Sequence, residues 1–248
     1  MQIFLILGLL ASGLIAGSYI GALTYRLPRR MSIAKGRSIC DFCKKKISWY
    51  DNIPVISYII LGGKCRLCKK SILLRYPAVE IATALLFILT GFTVKFSFLP
   101  FYLIIISGLV AIFVIDLEES IIPDSIVFFL YGLTLLFLIF MRPESIYINM
   151  LTGFFAGLFF LLIHLITLRR GMGLGDVKFA LLGGTLLGFP NTLVFLFLSF
   201  LTGASVGIIL ILIKRAKFGK PIPFGPYLVF GVTVVLLFGD YLLERWLQ

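Results

Sequence analysis

Charge is scarce in this 248-residue sequence: 14% of residues are charged, against about a quarter in soluble domains. Acidic residues number 11, and there is a single histidine. With so little charge and 60% hydrophobic residues, a soluble globule could not hide its apolar surface. Disorder is excluded on the same ground, because disordered chains are poor in apolar residues. Several catalytic signatures are also missing. The sequence holds no plausible Ser-His-Asp set, no HExxH and no GxxxxGKS/T. Serine proteolysis, zinc-dependent proteolysis and P-loop chemistry therefore have no visible machinery. No nucleic-acid partner is expected. What remains is the composition of a multi-pass membrane protein.

The net charge of +12 is unusual for that class, and it is concentrated. Residues 26–75 hold thirteen basic residues against Asp41 and Asp51, so this one loop carries +11 of the total. All four cysteines lie in it as well. The chain divides into a first membrane helix over 1–25, a basic cysteine-bearing insert over 26–75, and a membrane core over 76–248.

A membrane helix needs roughly 20 apolar residues. Such runs lie near 3–25, 77–94, 99–115, 125–141, 146–168, 177–189, 192–213 and 226–244. The sixth is short and glycine-rich, and about eight spans are predicted. The first run has no basic residues ahead of its apolar core, so it reads as a retained helix rather than a cleavable signal. Basic residues in short loops mark the cytoplasmic side. The 26–75 loop is then cytoplasmic and the N-terminus outside. Counting helices onward puts Arg169, Arg170, Lys214, Arg215, Lys217 and Lys220 inside too, and the C-terminus outside.

Cys40 and Cys43 form one CxxC, Cys65 and Cys68 a second, with 21 residues between the pairs. The pairs share a local pattern, CDFCKKKI over 40–47 and CRLCKKSI over 65–72. Each reads as a knuckle turn. Four thiolates at this spacing suit tetrahedral zinc, although the separation is just beyond the usual range. A reducing cytoplasm argues against disulfides. Redox-active or unmetallated cysteines remain the alternative. A four-cysteine zinc site has no open position, so its role is structural, and a small insert with little core benefits from such a staple. The surrounding lysines serve orientation, thiolate stabilisation, or attraction to anionic lipid or an acidic partner.

Two acids stand out in the apolar body. Asp116 lies where the third span reaches the cytoplasm, and Asp176 lies in Gly173-Leu174-Gly175-Asp176 at the start of the sixth. Both are predicted on the same side of the membrane. A carboxylate at such a boundary is costly and marks function. Two carboxylates brought together in a low dielectric share one proton, the arrangement with which aspartic proteases activate water. Proton relays and ion sites use membrane acids too, and Asp176 also fits a plain helix cap. Glu118 and Glu119 are nearby decoys, Asp124 after Pro123 reads as the N-cap of the fourth helix, and His164 reads as a packing residue.

The chain resembles the bacterial type IV prepilin peptidases along nearly its whole length. The residues that carry the resemblance are Gly17-Ser18-Tyr19 with Tyr25-Arg26-Leu27-Pro28, the paired CxxC motifs with Trp49 to Val55 between them, and Arg75 to Glu80. They continue with Asp116 to Asp124, Gly173 to Asp176 followed by Lys178, and Pro223-Phe224-Gly225-Pro226. One departure is Gly21, where many members have asparagine. The resemblance implies an all-α, eight-span aspartic endopeptidase of the inner membrane, with a small cytoplasmic insert between helices 1 and 2 that binds zinc through its four cysteines. Its substrates would be prepilins and the pseudopilins of secretion and competence systems, cut at the cytoplasmic face to release a short basic leader. By the same resemblance Asp116 and Asp176 are the catalytic pair, supported by Gly173, Gly175, Lys178, Pro123 and Asp124. A second activity, methylation of the new N-terminus from S-adenosylmethionine, is implied only by resemblance, with Glu80 a candidate contributor. The insert has no glycine-rich βαβ pattern for that donor. A proton-coupled transporter would show an internal repeat of broken helices, and none is apparent. A non-catalytic pilus-assembly scaffold would tolerate loss of both aspartates.

Overall fold

The structure, a computed structural model, describes residues 2–32, 38–40, 42–168, 172–214 and 223–246. Lys35, Arg37, Asp41, Arg169, Arg170, Arg215, Lys217 and Lys220 lie outside the described residues. Nine α-helices run through the described chain: α1 Gln2–Arg26, α2 Ile56–Ile60, α3 Arg75–Thr93, α4 Leu99–Glu119, α5 Asp124–Met141, α6 Ile146–Ile166, α7 Leu174–Leu187, α8 Asn191–Leu212 and α9 Gly225–Trp246. No strand occurs among the described residues, only two isolated bridges in the insert. Apolar runs of this length form helices because a lipid-facing backbone must satisfy its own hydrogen bonds. Six helices, α1, α3, α4, α5, α6 and α8, are long and apolar enough to cross a bilayer. Their outward phenylalanines, among them Phe4, Phe92, Phe140 and Phe154, are the surface that lipid covers.

Of the other two predicted spans, the eighth is helical in α9, which is 22 residues long and apolar over Gly225–Gly239; the sixth is shorter. The predicted sixth span becomes α7, with 14 residues. At 1.5 Å per residue it is about 21 Å long, short of the ~30 Å hydrocarbon core. It is a core helix, in contact with α5, α6, α8 and α9. Its glycines make this possible: Gly184 abuts Gly153 and Ala156 on α6, and Gly183 abuts Val232 on α9 and Phe195 on α8.

The helices form two compact units, Met1–Ala111 and Ile112–Gln248, with the division inside α4. In the first, α1 packs on α3 along a glycine seam. A Cβ on Gly13 would stand 2.5 Å from Ala84 Cα, and one on Gly17 2.6 Å from Glu80 Cα. With Gly21 these residues recur every fourth position, the small-residue spacing that lets membrane helices approach closely. Gly21 itself faces Tyr76, whose Cδ1 would lie 3.3 Å from an added Cβ. The glycine thus leaves the Tyr76 ring room that an asparagine would crowd.

The insert belongs to the same unit and repeats one small fold twice. In the first knuckle Cys40 N–H donates to Lys45 O at 3.0 Å and Ile47 N–H to Ser38 O at 2.8 Å. In the second, Cys65 N–H donates to Lys70 O at 2.9 Å and Ile72 N–H to Gly63 O at 2.7 Å. The residue after each second cysteine, Lys44 or Lys69, turns the chain through positive φ. Side chains join the pieces: Arg66 makes a forked pair with Asp51, and Lys70 lies over the Phe42 ring.

Candidate active site and metal centre

Asp116 and Asp176 both lie in the second unit, and both are buried, 4% and 8% exposed. Asp116 occupies the last turn of α4 and Asp176 the first turn of α7. Their charges interact electrostatically. Asp176 is held by its own helix start: Gly173 N–H donates to its Oδ2 at 2.9 Å. This is the backward reach of an acidic third residue to the cap backbone. Asp116 is held by a different helix. The Gly225 N–H at the start of α9 interacts with its carboxylate, and Asp116 Oδ2 fills the space a Gly225 Cβ would take. That Oδ2 has no hydrogen-bond partner among the described residues. Each carboxylate therefore meets a helix N-terminus, where unsatisfied N–H groups and the helix dipole favour an anion. This partly offsets the cost of burying it.

The two aspartate motifs interlock. After Asp116, Ser120 N–H donates to Asp116 O at 2.9 Å as α4 ends, and Ser120 takes a φ of 54°. Ile122 then packs on Gly175, where an added Cβ would stand 3.0 Å from Ile122 Cβ. Lys178 Nζ donates to both oxygens of Asp124 at 2.8 and 2.7 Å. Asp124 is thus not the N-cap that the sequence suggests. Pro123 holds the cap position, and Asp124 is the first residue of α5 with no capping hydrogen bond. The ammonium 54 residues away in sequence draws the carboxylate off the helix end. Glu118 and Glu119 are not buried. His164 is buried and its Nδ1 lies 2.7 Å from Met172 O, a packing role that ties the α6 end to the chain entering α7.

Sequence reasoning did not single out Gly225 as a site residue. Its signal was a glycine between prolines at the start of the last helix, but only contact with Asp116 gives that glycine a purpose. Glu80 lies in the first unit, where it accepts the Val55 N–H at 2.7 Å.

The four cysteines converge, with all sulfurs within 4.8 Å of one another. Cys40 Sγ and Cys68 Sγ are 3.8 Å apart. A tetrahedron of sulfurs with 2.3 Å metal bonds has edges of about 3.8 Å, so the cluster can hold a metal ion with little rearrangement. The thiols differ in their readiness to ionise. Burial pushes Cys40 up to about 11. The Cys68 backbone N–H, followed by that of Leu67, brings Cys65 down to about 7 against the opposing effect of burial.

By fold this is an all-helical protein, among its described residues, with six helices long and apolar enough to cross a membrane and two buried acids set against helix starts. Comparison with known proteins narrows the class. Residues 11–94 match the bacterial peptidase A24 N-terminal domain, and residues 103–208 match the type IV leader peptidase family. A prepilin leader peptidase/N-methyltransferase of Pseudomonas aeruginosa is 32% identical over 95% of this chain and 91% of its own. The Bacillus subtilis protein of that name is 33% identical over 95% of each chain. That of Aeromonas hydrophila is 36% identical over 85% of this chain and 74% of its own. No solved structure matches. The chain belongs to the type IV leader peptidase family.

Proposed function

We propose that the protein is a prepilin leader peptidase that also N-methylates its product, with Asp116 and Asp176 as the catalytic pair. The observation that carries this reading is a pair of buried carboxylates in one compact unit, each set against a helix start, one of which has an oxygen without a hydrogen-bond partner among the described residues. One aspartate, ionised, takes a proton from water as the water oxygen bonds to the scissile carbonyl carbon. The other, protonated, polarises that carbonyl and then gives its proton to the departing amine as the C–N bond breaks. The pair titrates as a unit. Gly173, Gly175 and Gly225 let backbone come close to the acids, and Pro123, Asp124 and Lys178 fix the chain between them.

The proposed setting is the inner membrane, with both termini outside and the acids at the cytoplasmic face. The basic insert favours that orientation. The prepilin's apolar helix would lie in the bilayer with its basic leader at the same face, and alignment along that helix supplies much of the selectivity. In functional terms residues 1–25 anchor, 26–75 form the metal-bearing insert, and 76–248 carry the peptidase.

The purified full chain in detergent, given a prepilin, should release the leader. With S-adenosylmethionine present, the mature product should gain the mass of one methyl group by mass spectrometry. Intact prepilin after prolonged incubation would overturn the peptidase reading, and an unmethylated product the second activity.

Cys40, Cys43, Cys65 and Cys68 would hold zinc. A closed set of four thiolates leaves no position for substrate, so the ion joins the two knuckles rather than performing chemistry. Metal analysis should find one zinc per chain. Structural zinc contributes on the order of 10 kcal/mol to small domains, so Cys68→Ser should lose the metal and open the insert to protease. An insert equally resistant without zinc would rule out this role.

A further inference from the structure

The short helix of the insert carries its polarity inside out. In α2, Ser57 is buried, whereas Ile56, Ile59 and Ile60 are 53%, 70% and 74% exposed. The isoleucines follow the i, i+3, i+4 spacing of one helix face. The inward side is polar and satisfied: Ser57 Oγ donates to Tyr50 O at 2.7 Å and accepts the Ile53 N–H at 3.0 Å. Leu73 and Leu74, which lead into α3, are exposed as well. Apolar side chains grouped on an outer surface mark an interaction site.

The depth at which α2 is held identifies what covers it. Glu80 accepts the Val55 N–H at the start of α2, at 2.7 Å, and also engages the Ser18 side chain. Glu80 follows Arg75, the first residue of α3, by five positions, and Ser18 precedes Arg26, the last of α1, by eight. At 1.5 Å per residue these points lie about 7 Å and about 12 Å along the two spans from their insert-side ends. Val55 reaches that level under strain. Its φ of 59° and ψ of −47° fall in a region β-branched residues rarely enter, and Ile56 N–H closes a tight turn on Pro54 O at 2.5 Å. The start of α2 is therefore drawn down beside the first turns of α1 and α3. The headgroup layer is about 5–7 Å thick on each side of a bilayer, so the isoleucines lie where headgroups meet acyl chains. A soluble partner does not reach that depth.

We propose that α2 is a membrane-surface anchor whose Ile56, Ile59 and Ile60 face dips into the lipid leaflet on the insert's side. Helices that lie in the interface bury an apolar face there and turn cationic side chains toward lipid phosphate. Lys64, just past α2, and Lys69 are exposed on the same insert and supply that charge. Trp49 is exposed too, and tryptophan is enriched at membrane–water interfaces. The anchor gives the insert a third attachment to the bilayer, beside the chain crossings at Arg26 and Arg75. The Val55 to Glu80 hydrogen bond ties it to the spans. In the orientation proposed above the leaflet is the cytoplasmic one, but the docking depends neither on that orientation nor on the reaction.

Fluorescence quenching on the full chain in vesicles tests the contact. Ile60→Trp serves as reporter, with Trp49→Phe and Trp246→Phe removing the two native tryptophans. The vesicles are phosphatidylethanolamine and phosphatidylglycerol, with or without bromine on the acyl chains. Acyl bromines should remove about half of the reporter's emission, because such a face lies ~5–10 Å into the headgroup/acyl boundary. Aqueous iodide should quench it little. Adding Ile59→Glu should abolish most of the acyl quenching and raise iodide quenching at least about threefold, with metal content unchanged because that side chain packs against nothing in the insert's interior. A reporter open to iodide and untouched by acyl bromine would overturn the proposal. So would shielding that appears only when prepilin is added, or that grows with protein-to-lipid ratio, since these make the occupant the substrate or a second copy of this chain. The reporter decides the matter by itself should Ile59→Glu lose its metal. Leader cleavage is measured on the same vesicles, so failure of the anchor and failure of the peptidase reading show separately.

Discussion

Leader cleavage by Asp116→Asn or Asp176→Asn is expected to fall at least about 10³-fold, some 4 kcal/mol of lost transition-state stabilisation. Asparagine keeps the shape of aspartate and an acceptor oxygen. At Asp176 that oxygen can still take the Gly173 N–H, now made at 2.9 Å, so the start of α7 should survive. At Asp116 the change exchanges a buried carboxylate, 4% exposed, for a neutral group of equal volume. Neither variant has a structural reason to unfold, yet neither can exchange the proton that the mechanism needs. The double variant should be little worse than either single one, because groups acting as a unit are strongly non-additive. Rates would be measured on purified full-length enzyme with a prepilin in detergent. Activity within tenfold of the parent in either single variant would end the two-carboxylate mechanism.

Gly225→Ala carries the second large effect, from one methyl group. An added Cβ would contact Asp116 Oδ2 and stand 2.8 Å from its Cγ and 3.2 Å from its Cβ. The carboxylate has little room to retreat, since Ile112 and Ile115 beside it in sequence are fully buried. Either Asp116 rotates or α9 moves. Displacement of a reacting group by about 1 Å can cost 10²-fold in rate, so kcat should fall by about that factor with little change in KM. Overpacking of this kind costs about 1–3 kcal/mol of stability. Gly132→Ala is the matched control, because a Cβ at Gly132 meets nothing within 4 Å. It should leave the rate unchanged and, as a Gly→Ala change inside a helix, should not lower the melting temperature. Equal activity in Gly225→Ala and Gly132→Ala would remove Gly225 from the site.

Both experiments concern residues that were legible to different degrees. Asp116 and Asp176 could be singled out because a charged side chain at the edge of an apolar run is locally anomalous. Gly225 was legible only as part of Pro223-Phe224-Gly225-Pro226, because nothing local shows that this glycine faces a carboxylate. Asp124 was misread for a related reason. An acid after a proline at a helix start matches a cap, but its partner is Lys178, far away in sequence. The length of α7 was misjudged less than its environment. Its glycines signalled an atypical span, whereas its place among four other helices followed only from packing.

The sequence by itself determined the class: apolar runs of membrane length, a basic cysteine-rich insert, and the motifs of a leader peptidase. These are local properties, set by composition and by spacings of a few residues along one segment. Tertiary structure decided which groups touch: Gly225 with Asp116, Gly175 with Ile122, Lys178 with Asp124, and Glu80 with Val55. Each contact joins segments that are distant in the chain. Helix periodicity reports which face a segment buries, but it does not report which other segment covers that face. The glycines and carboxylates acquire their roles only when helix packing brings those partners within hydrogen-bonding or van der Waals distance.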